Sequence, residues 1–192
     1  MHRPDHTDYV VHFTSGENAL PNLRAILKDG IIKANSLPWV GSEAVCFTEC
    51  PWSSLLGHAR RYSPYGIGFN KPHVFAAGGG PAYYVRADHW QSQQWCETTK
   101  AFVTPFWPEY RKAEQKTPGF LKGKTIDYSH EREWRVAHDF KFRLDQVMFV
   151  VMEKYEDMAT FPKELKDEIG REKFILMEMY LKIEELWPTH IL

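Results

Sequence analysis

Cysteine is scarce: Cys46, Cys50 and Cys96 are the three in 192 residues. So small and odd a set cannot build a disulfide framework, and a reducing, cytoplasmic setting is expected. Long apolar runs are also missing. The longest, residues 147–152 and 174–177, fall far short of the ~20 residues that span a bilayer, so no membrane partner is expected. The opening Met1-His2-Arg3-Pro4-Asp5-His6 has no apolar stretch of the kind a signal peptide needs. Neither sign of charge dominates. With 24 Lys and Arg against 25 Asp and Glu, the formal net charge is -1, which removes any global pull toward nucleic acid or anionic lipid. Gly66-Ile67-Gly68 lacks the third glycine of a dinucleotide fingerprint, and Gly78-Gly79-Gly80 precedes no Lys-Ser/Thr pair of a P-loop. No Gly-x-Ser-x-Gly elbow occurs. Cys46 and Cys50 lack a second pair at zinc spacing, and His2 and His6 stand alone, so no metal is expected.

Aromatic side chains are plentiful, at 15% of the chain. The length and ordinary polarity fit a single domain over residues 1–192, with residues 1–8 flexible. Residues 9–14 (Tyr-Val-Val-His-Phe-Thr) are β-branched and aromatic and predict a strand. Residues 19–28 carry Leu20, Leu23, Ile26 and Leu27 on one helical face, with Asn18 ahead as a cap and Gly30 behind as a stop signal. Residues 44–48, 66–69, 82–85 and 146–152 read as further strands. Residues 51–62 read as a helix carrying Leu55, Leu56 and Ala59. Asp88 reads as the cap of a helix reaching Thr98, and residues 163–169 as another helix. Residues 101–127, with three prolines and two glycines, read as irregular with a helical patch near 110–115. Residues 131–138 alternate strictly, which predicts a strand with Glu131, Glu133 and Arg135 on one face. Residues 174–187 fit a helix and, in part, a strand. The sum is an α+β fold with short strands in a mixed or antiparallel sheet and flanking helices. Strand–helix alternation lapses after residue 100, which argues against a doubly wound fold.

Chemistry concentrates where strands end in polar residues. His12 and Thr14 stand at the end of the first strand, where a following helix N-terminus favours negative groups. Thr48 and Glu49 close the strand 44–48. Arg60, Arg61, Tyr62 and Tyr65 surround a tight Ser63-Pro64 turn. Tyrosine rings stack on flat heteroaromatics, and arginine clamps pyrophosphate. Glu131 and Glu133 repel at this spacing, which raises the pKa of at least one unless a cation lies nearby, and Arg135 on the same face can supply that cation. A competing reading of the same residues is a salt-bridge ladder on a sheet face. The stretch 110–143 holds nine Lys and Arg against five Asp and Glu, and 153–185 holds ten acidic against six basic residues. Two differently solvated faces explain that asymmetry, and so does a basic loop that meets phosphate.

The order of these clusters resembles ADP-ribosyltransferase-like families. The opening Tyr-Val-Val-His-Phe-Thr, followed by a helix ending Ile-Leu-Lys-Asp-Gly, is similar to DarT-type DNA ADP-ribosyltransferases. Residues 45–71, with Cys-Phe-Thr-Glu-Cys-Pro and Tyr-Gly-Ile-Gly, and the Glu-x-Glu-Trp-Arg at 131–135 resemble AbiGi-type abortive-infection proteins. The patches cover about a third of the chain. The resemblance implies a split sheet with NAD as co-substrate in its cleft. It implies that His12 holds the nicotinamide ribose with Thr14 nearby in the binding site, and that Tyr62 or Tyr65 stacks on nicotinamide with Phe47 lining that pocket, while Arg61 is read as a further cofactor-binding residue from its own chemistry. It implies that Glu133 stabilises the developing positive charge on the ribose while Glu131 orients the acceptor. The expected activity is ADP-ribosyl transfer or NAD hydrolysis by a toxin or phage-defence effector. Its acceptor is a nucleic acid or protein, and an antitoxin protein is a further expected partner. The alternative is a catalytically inert module that binds a nucleotide or a partner. A third reading, an unrelated α+β domain, leaves these residues scattered. The central expectation is that Glu133 faces His12 across one groove.

Overall fold

The computed structural model describes residues 6–37, 39–49, 62–90, 92–108 and 124–186. The helix read at 51–62, Arg61 and the patch near 110–115 lie outside them, apart from Tyr62. The strands are β1 (Tyr9–Phe13), β2 (Ile31–Ile32), β3 (Asn35–Leu37), β4 (Ser42–Thr48), β5 (Gly66–Asn70), β6 (Gly80–Pro81), β7 (Tyr83–Arg86), β8 (Val103–Phe106), β9 (Glu133–Val136), β10 (Phe140–Lys141), β11 (Phe149–Met152) and β12 (Phe174–Leu176). The helices are α1 (Ala19–Asp29), α2 (Lys71–Ala76), α3 (Ala87–Trp90), α4 (Glu97–Lys100), α5 (Tyr155–Ala159), α6 (Lys163–Ile169) and α7 (Met177–Leu186).

The main sheet runs β12-β11-β5-β1-β4-β9-β6, with β3 on β4. It is mixed: β11 and β12 are parallel, and its other pairs are antiparallel. Flanking helices complete an α+β architecture. Two small sheets accompany it, β10-β2 and the parallel pair β7-β8. In the centre, β1 pairs with β5 along five positions but with β4 at one, Val11 opposite Thr48. The two halves of the sheet diverge there. The His12 ring takes the Cys46 carbonyl that the divergence leaves, with Nδ1 2.9 Å from the oxygen.

Alternation of side chains assigns the faces. Val10, Val45, Phe47, Ile67, Phe69, Val136 and Val150 turn toward α1 and form the main core with Leu23, Leu27 and Phe140. Phe47, Phe69 and Phe140 meet edge to face at centroid separations of 5.0–6.2 Å, a geometry that adds about 0.5–1.5 kcal/mol per pair beyond burial. Helix α1 ends as its sequence predicts. Gly30 takes a left-handed φ of 63°, and a side chain there would meet the Phe142 carbonyl. On the opposite face Val11, Val151 and Met177 form a smaller apolar cluster with Phe13 and Phe149. No helix among the described residues is long and apolar enough to cross a membrane.

Several local expectations are corrected. The strand expected from Glu131 begins at Glu133, because residues 129–131 form a 3-10 turn and Arg132 takes a left-handed φ of 47°. Asp127 starts that turn by accepting from the Ser129 hydroxyl and backbone N–H. The helix expected from Asp88 to Thr98 is two short pieces, α3 and α4. Asp88 accepts from Nε and Nη2 of Arg86 instead of capping. Trp95 folds back to stack on Trp90 at 5.2 Å and donates to its carbonyl. Within the segment read as irregular, β8 forms and Trp107 bridges Ile126. Residues 174–186 satisfy both readings in turn, as β12 and then α7.

Candidate active-site cleft

A cavity of about 250 Å³ opens at the split, lined by Val11, Phe13, Cys46, Phe47, Thr48, Tyr62, Glu131 and Glu133. Strand register builds it. Val11 opposes Thr48 and Thr48 opposes Glu133, so the side chains of these three residues leave one face of the sheet together. Glu131 reaches the same cavity from the preceding turn. Its carbonyl is fixed by the Thr48 hydroxyl at 2.6 Å, and its Oε1 accepts from the Tyr62 hydroxyl at 2.6 Å.

Glu133 is held at every polar atom. Its N–H donates to the Tyr84 hydroxyl at 3.2 Å, and its carbonyl accepts from Ala82 at 2.8 Å. Its Oε1 accepts from Arg135 Nε at 2.9 Å, and its Oε2 accepts from Arg135 Nη2 at 2.9 Å and from Thr104 at 3.3 Å. The arginine read on the same face therefore meets Glu133, as a planar two-bond fork. Beside it lies Cys46, whose thiol burial pushes up, reinforced by the negative charge of Glu133. It stays a protonated thiol, not a nucleophile.

The remaining expected site residues divide. Tyr62 is 37% exposed and lines this cleft. It also lines an adjoining cavity of about 670 Å³, which it shares with Tyr65, Pro64, Met177 and Leu181. Tyr65 lines that second cavity and not the cleft. Its hydroxyl donates to Glu153 and Asp157 at 3.0 and 2.9 Å, and burial followed by these bonds raises its phenol. Phe47 forms part of the cleft wall, but at 2% exposure its ring belongs to the core.

His12 and Thr14 do not face Glu133. The odd-numbered residues of β1 share the glutamate's face, and His12 leaves the other one. The expected opposition of Glu133 and His12 across one groove is thus corrected by register, which no local pattern reveals. His12 and Thr14 instead line a cavity of about 310 Å³ beneath α1, with Ser15, Asn22 and Asn35. The Thr14 hydroxyl is taken by the carbonyls of Ala19 and Tyr65. Burial pushes the His12 imidazole down, against the opposing hydrogen bond to Cys46. A carbonyl only accepts, so Nδ1 carries the proton and Nε2 is left as an acceptor. Phe13 lines both the cleft and the His12 cavity.

Sequence reasoning missed Thr104 and Tyr84 in this setting, and it named Thr48 as a strand end without a role. Thr48 had a visible signal, a polar residue closing an apolar strand. Thr104 and Tyr84 had none, since their role comes from a sheet partnership far along the chain. No family model matches the chain, no curated protein matches it, and no solved structure matches it.

Proposed function

We propose that the protein is an NAD-dependent ADP-ribosyltransferase or NAD glycohydrolase whose reaction centre is the cleft at the split. One observation carries the reading: two carboxylates and a half-exposed tyrosine ring converge on one cavity where the sheet divides. Bound NAD supplies a C1′–N bond whose electron pair leaves with nicotinamide while positive charge grows on the ribose, to be met by an acceptor or water that gives up a proton. Glu133, immobilised by Arg135 and Thr104, is a fixed negative charge aimed at that site, and preorganised charge is often the largest contribution to a rate. Glu131, steadied by Tyr62, stands where an incoming hydroxyl is oriented. The Tyr62 ring offers a stacking face for a flat cationic ring. The cleft is too small for a whole dinucleotide. The adjoining cavity of about 670 Å³, which shares Tyr62 with the cleft, offers room for the second nucleoside. The resemblance to abortive-infection proteins adds a toxin or phage-defence setting, and the acceptor is a nucleic acid or protein.

The test is nicotinamide release from NAD by the purified protein. Release is expected, with a loss of about 100-fold or more in Glu133→Gln and a weaker loss in Tyr62→Ala. Absence of nicotinamide release by the wild type refutes the reading, whether or not NAD binds in calorimetry. The second reading, an inert binding module, has its own support in the full occupation of the Glu133 carboxylate by protein donors. It predicts NAD binding without release.

A further inference from the structure

From the contacts of Glu133 we infer that Arg135, with Thr104 and Tyr84 from the β7-β8 pair, is the positioning device of the reaction centre, setting the orientation of the Glu133 carboxylate without touching substrate. This rests on the function proposed above and goes beyond it by assigning a role to a part of the fold outside the cleft.

The side chain of Arg135 is 4% exposed and that of Glu133 12%. A buried guanidinium is costly unless each donor is met, and here each one is. Nε and one Nη2 hydrogen go to the carboxylate of Glu133, at 2.9 Å each. The other Nη2 hydrogen goes to Thr104 Oγ1 at 2.6 Å. Both Nη1 hydrogens go to main-chain carbonyls, Ala101 at 3.0 Å and Val103 at 2.9 Å. The arginine is thus pinned at its far end by the backbone leading into β8, and its fork transmits that position to the carboxylate. Thr104 closes the ring by accepting from Arg135 and donating to Glu133.

The neighbouring strand contributes from the other side. Tyr84 pairs with Thr104 in the parallel β7-β8 ladder. Its hydroxyl accepts from the Glu133 N–H and donates to the Tyr128 carbonyl, which ties Glu133 to the start of the turn that carries Glu131. Adjacent Ala82 holds the Glu133 carbonyl. Backbone and carboxylate of one residue are therefore fixed from one small sheet that lines none of the cleft. A salt bridge serving stability alone needs no contact with the carboxylate beyond the arginine fork. The added threonine fixes the plane of the carboxylate, which is what a charge aimed at a developing cation requires.

Steady-state kinetics of nicotinamide release test this on the full chain. Thr104→Val keeps the shape of the side chain and removes one hydroxyl. It is expected to lower kcat about tenfold with KM changed less than about twofold. Arg135→Lys keeps the charge and loses the fork, and is expected to lower kcat about 100-fold, again with little change in KM. Each variant is compared with wild type by circular dichroism and thermal melting, and Thr104→Val keeps the test alive should Arg135→Lys fail to fold. If Glu133→Gln abolishes release while Thr104→Val and folded Arg135→Lys turn over like wild type, the positioning role is overturned and the proposed function stands. A KM rise with unchanged kcat overturns it equally, since that marks binding and not orientation. If the wild type releases no nicotinamide, the proposed function fails and takes this role with it.

Discussion

Replacing Glu133 tests whether the Arg135 fork is as tightly coupled as its geometry requires. Glu133→Ala leaves a nearly unexposed guanidinium with two of its five donors unmet. Removing one partner of a buried pair costs about 3–5 kcal/mol, because the other charge stays buried. At this chain length that corresponds to a fall in Tm of roughly 6–20 °C. Glu133→Gln keeps one oxygen for Arg135 and turns an amide toward its remaining donors, so its cost is smaller, about 1.5–3 kcal/mol. Arg135→Met alone also destabilises, since it strands the carbonyls of Ala101 and Val103 as well as the carboxylate. The double variant Glu133→Ala/Arg135→Met removes both charges together. Its loss is expected to fall short of the sum of the single losses by about 2–3 kcal/mol. Urea unfolding followed by tryptophan fluorescence measures all four corners of the cycle. Additivity within about 0.5 kcal/mol refutes the coupling, and with it the argument that Arg135 holds the carboxylate.

Two further outcomes follow from other parts of the molecule. Gly68 lies on β5 under the Phe149 ring, and a Cβ there would stand 2.5 and 2.6 Å from its Cε1 and Cε2. Gly68→Ala is therefore expected to destabilise by about 1–3 kcal/mol, read as a lower urea midpoint, and a midpoint equal to wild type contradicts the packing. His12 and His73 both titrate below the ordinary histidine value of 6.5, chiefly through burial, with Arg143 adding to the effect at His73. Below that value the unfolded chain binds more protons than the folded one, so stability falls with acid. Tm is expected to drop between about pH 7 and about pH 5. The drop should be shallower in His12→Gln/His73→Gln, and an equal slope in that variant refutes the attribution.

Local signals in the sequence were enough to find much of the frame. The apolar face of α1 with Gly30 behind it, the β-branched run of β1 and the alternation around Trp134 each reflect a preference a few residues can express. The α+β class follows from their sum. So does the neighbourhood of Glu133 and Arg135, because residues two apart on a strand share a face whatever the strand pairs with, whereas Glu131 joins them through the turn that precedes the strand. The break at residues 88–98 and the turn at 129–132 escaped, since they depend on two indoles folding together and on Thr48 capturing the Glu131 carbonyl from a distant strand.

The sequence by itself determined which residues carry charge, which alternate and where helices stop. Tertiary structure alone decided that Val11, Thr48 and Glu133 lie in one row, that His12 therefore leaves the opposite face, and that Thr104 and Tyr84 reach Glu133 from a separate sheet. Register is a relation between strands, and a shift of one residue exchanges the two faces. That is why the carboxylates were visible as a pair before folding, whereas the cleft they share, and the imidazole excluded from their side of it, became definite when the strands were set against one another.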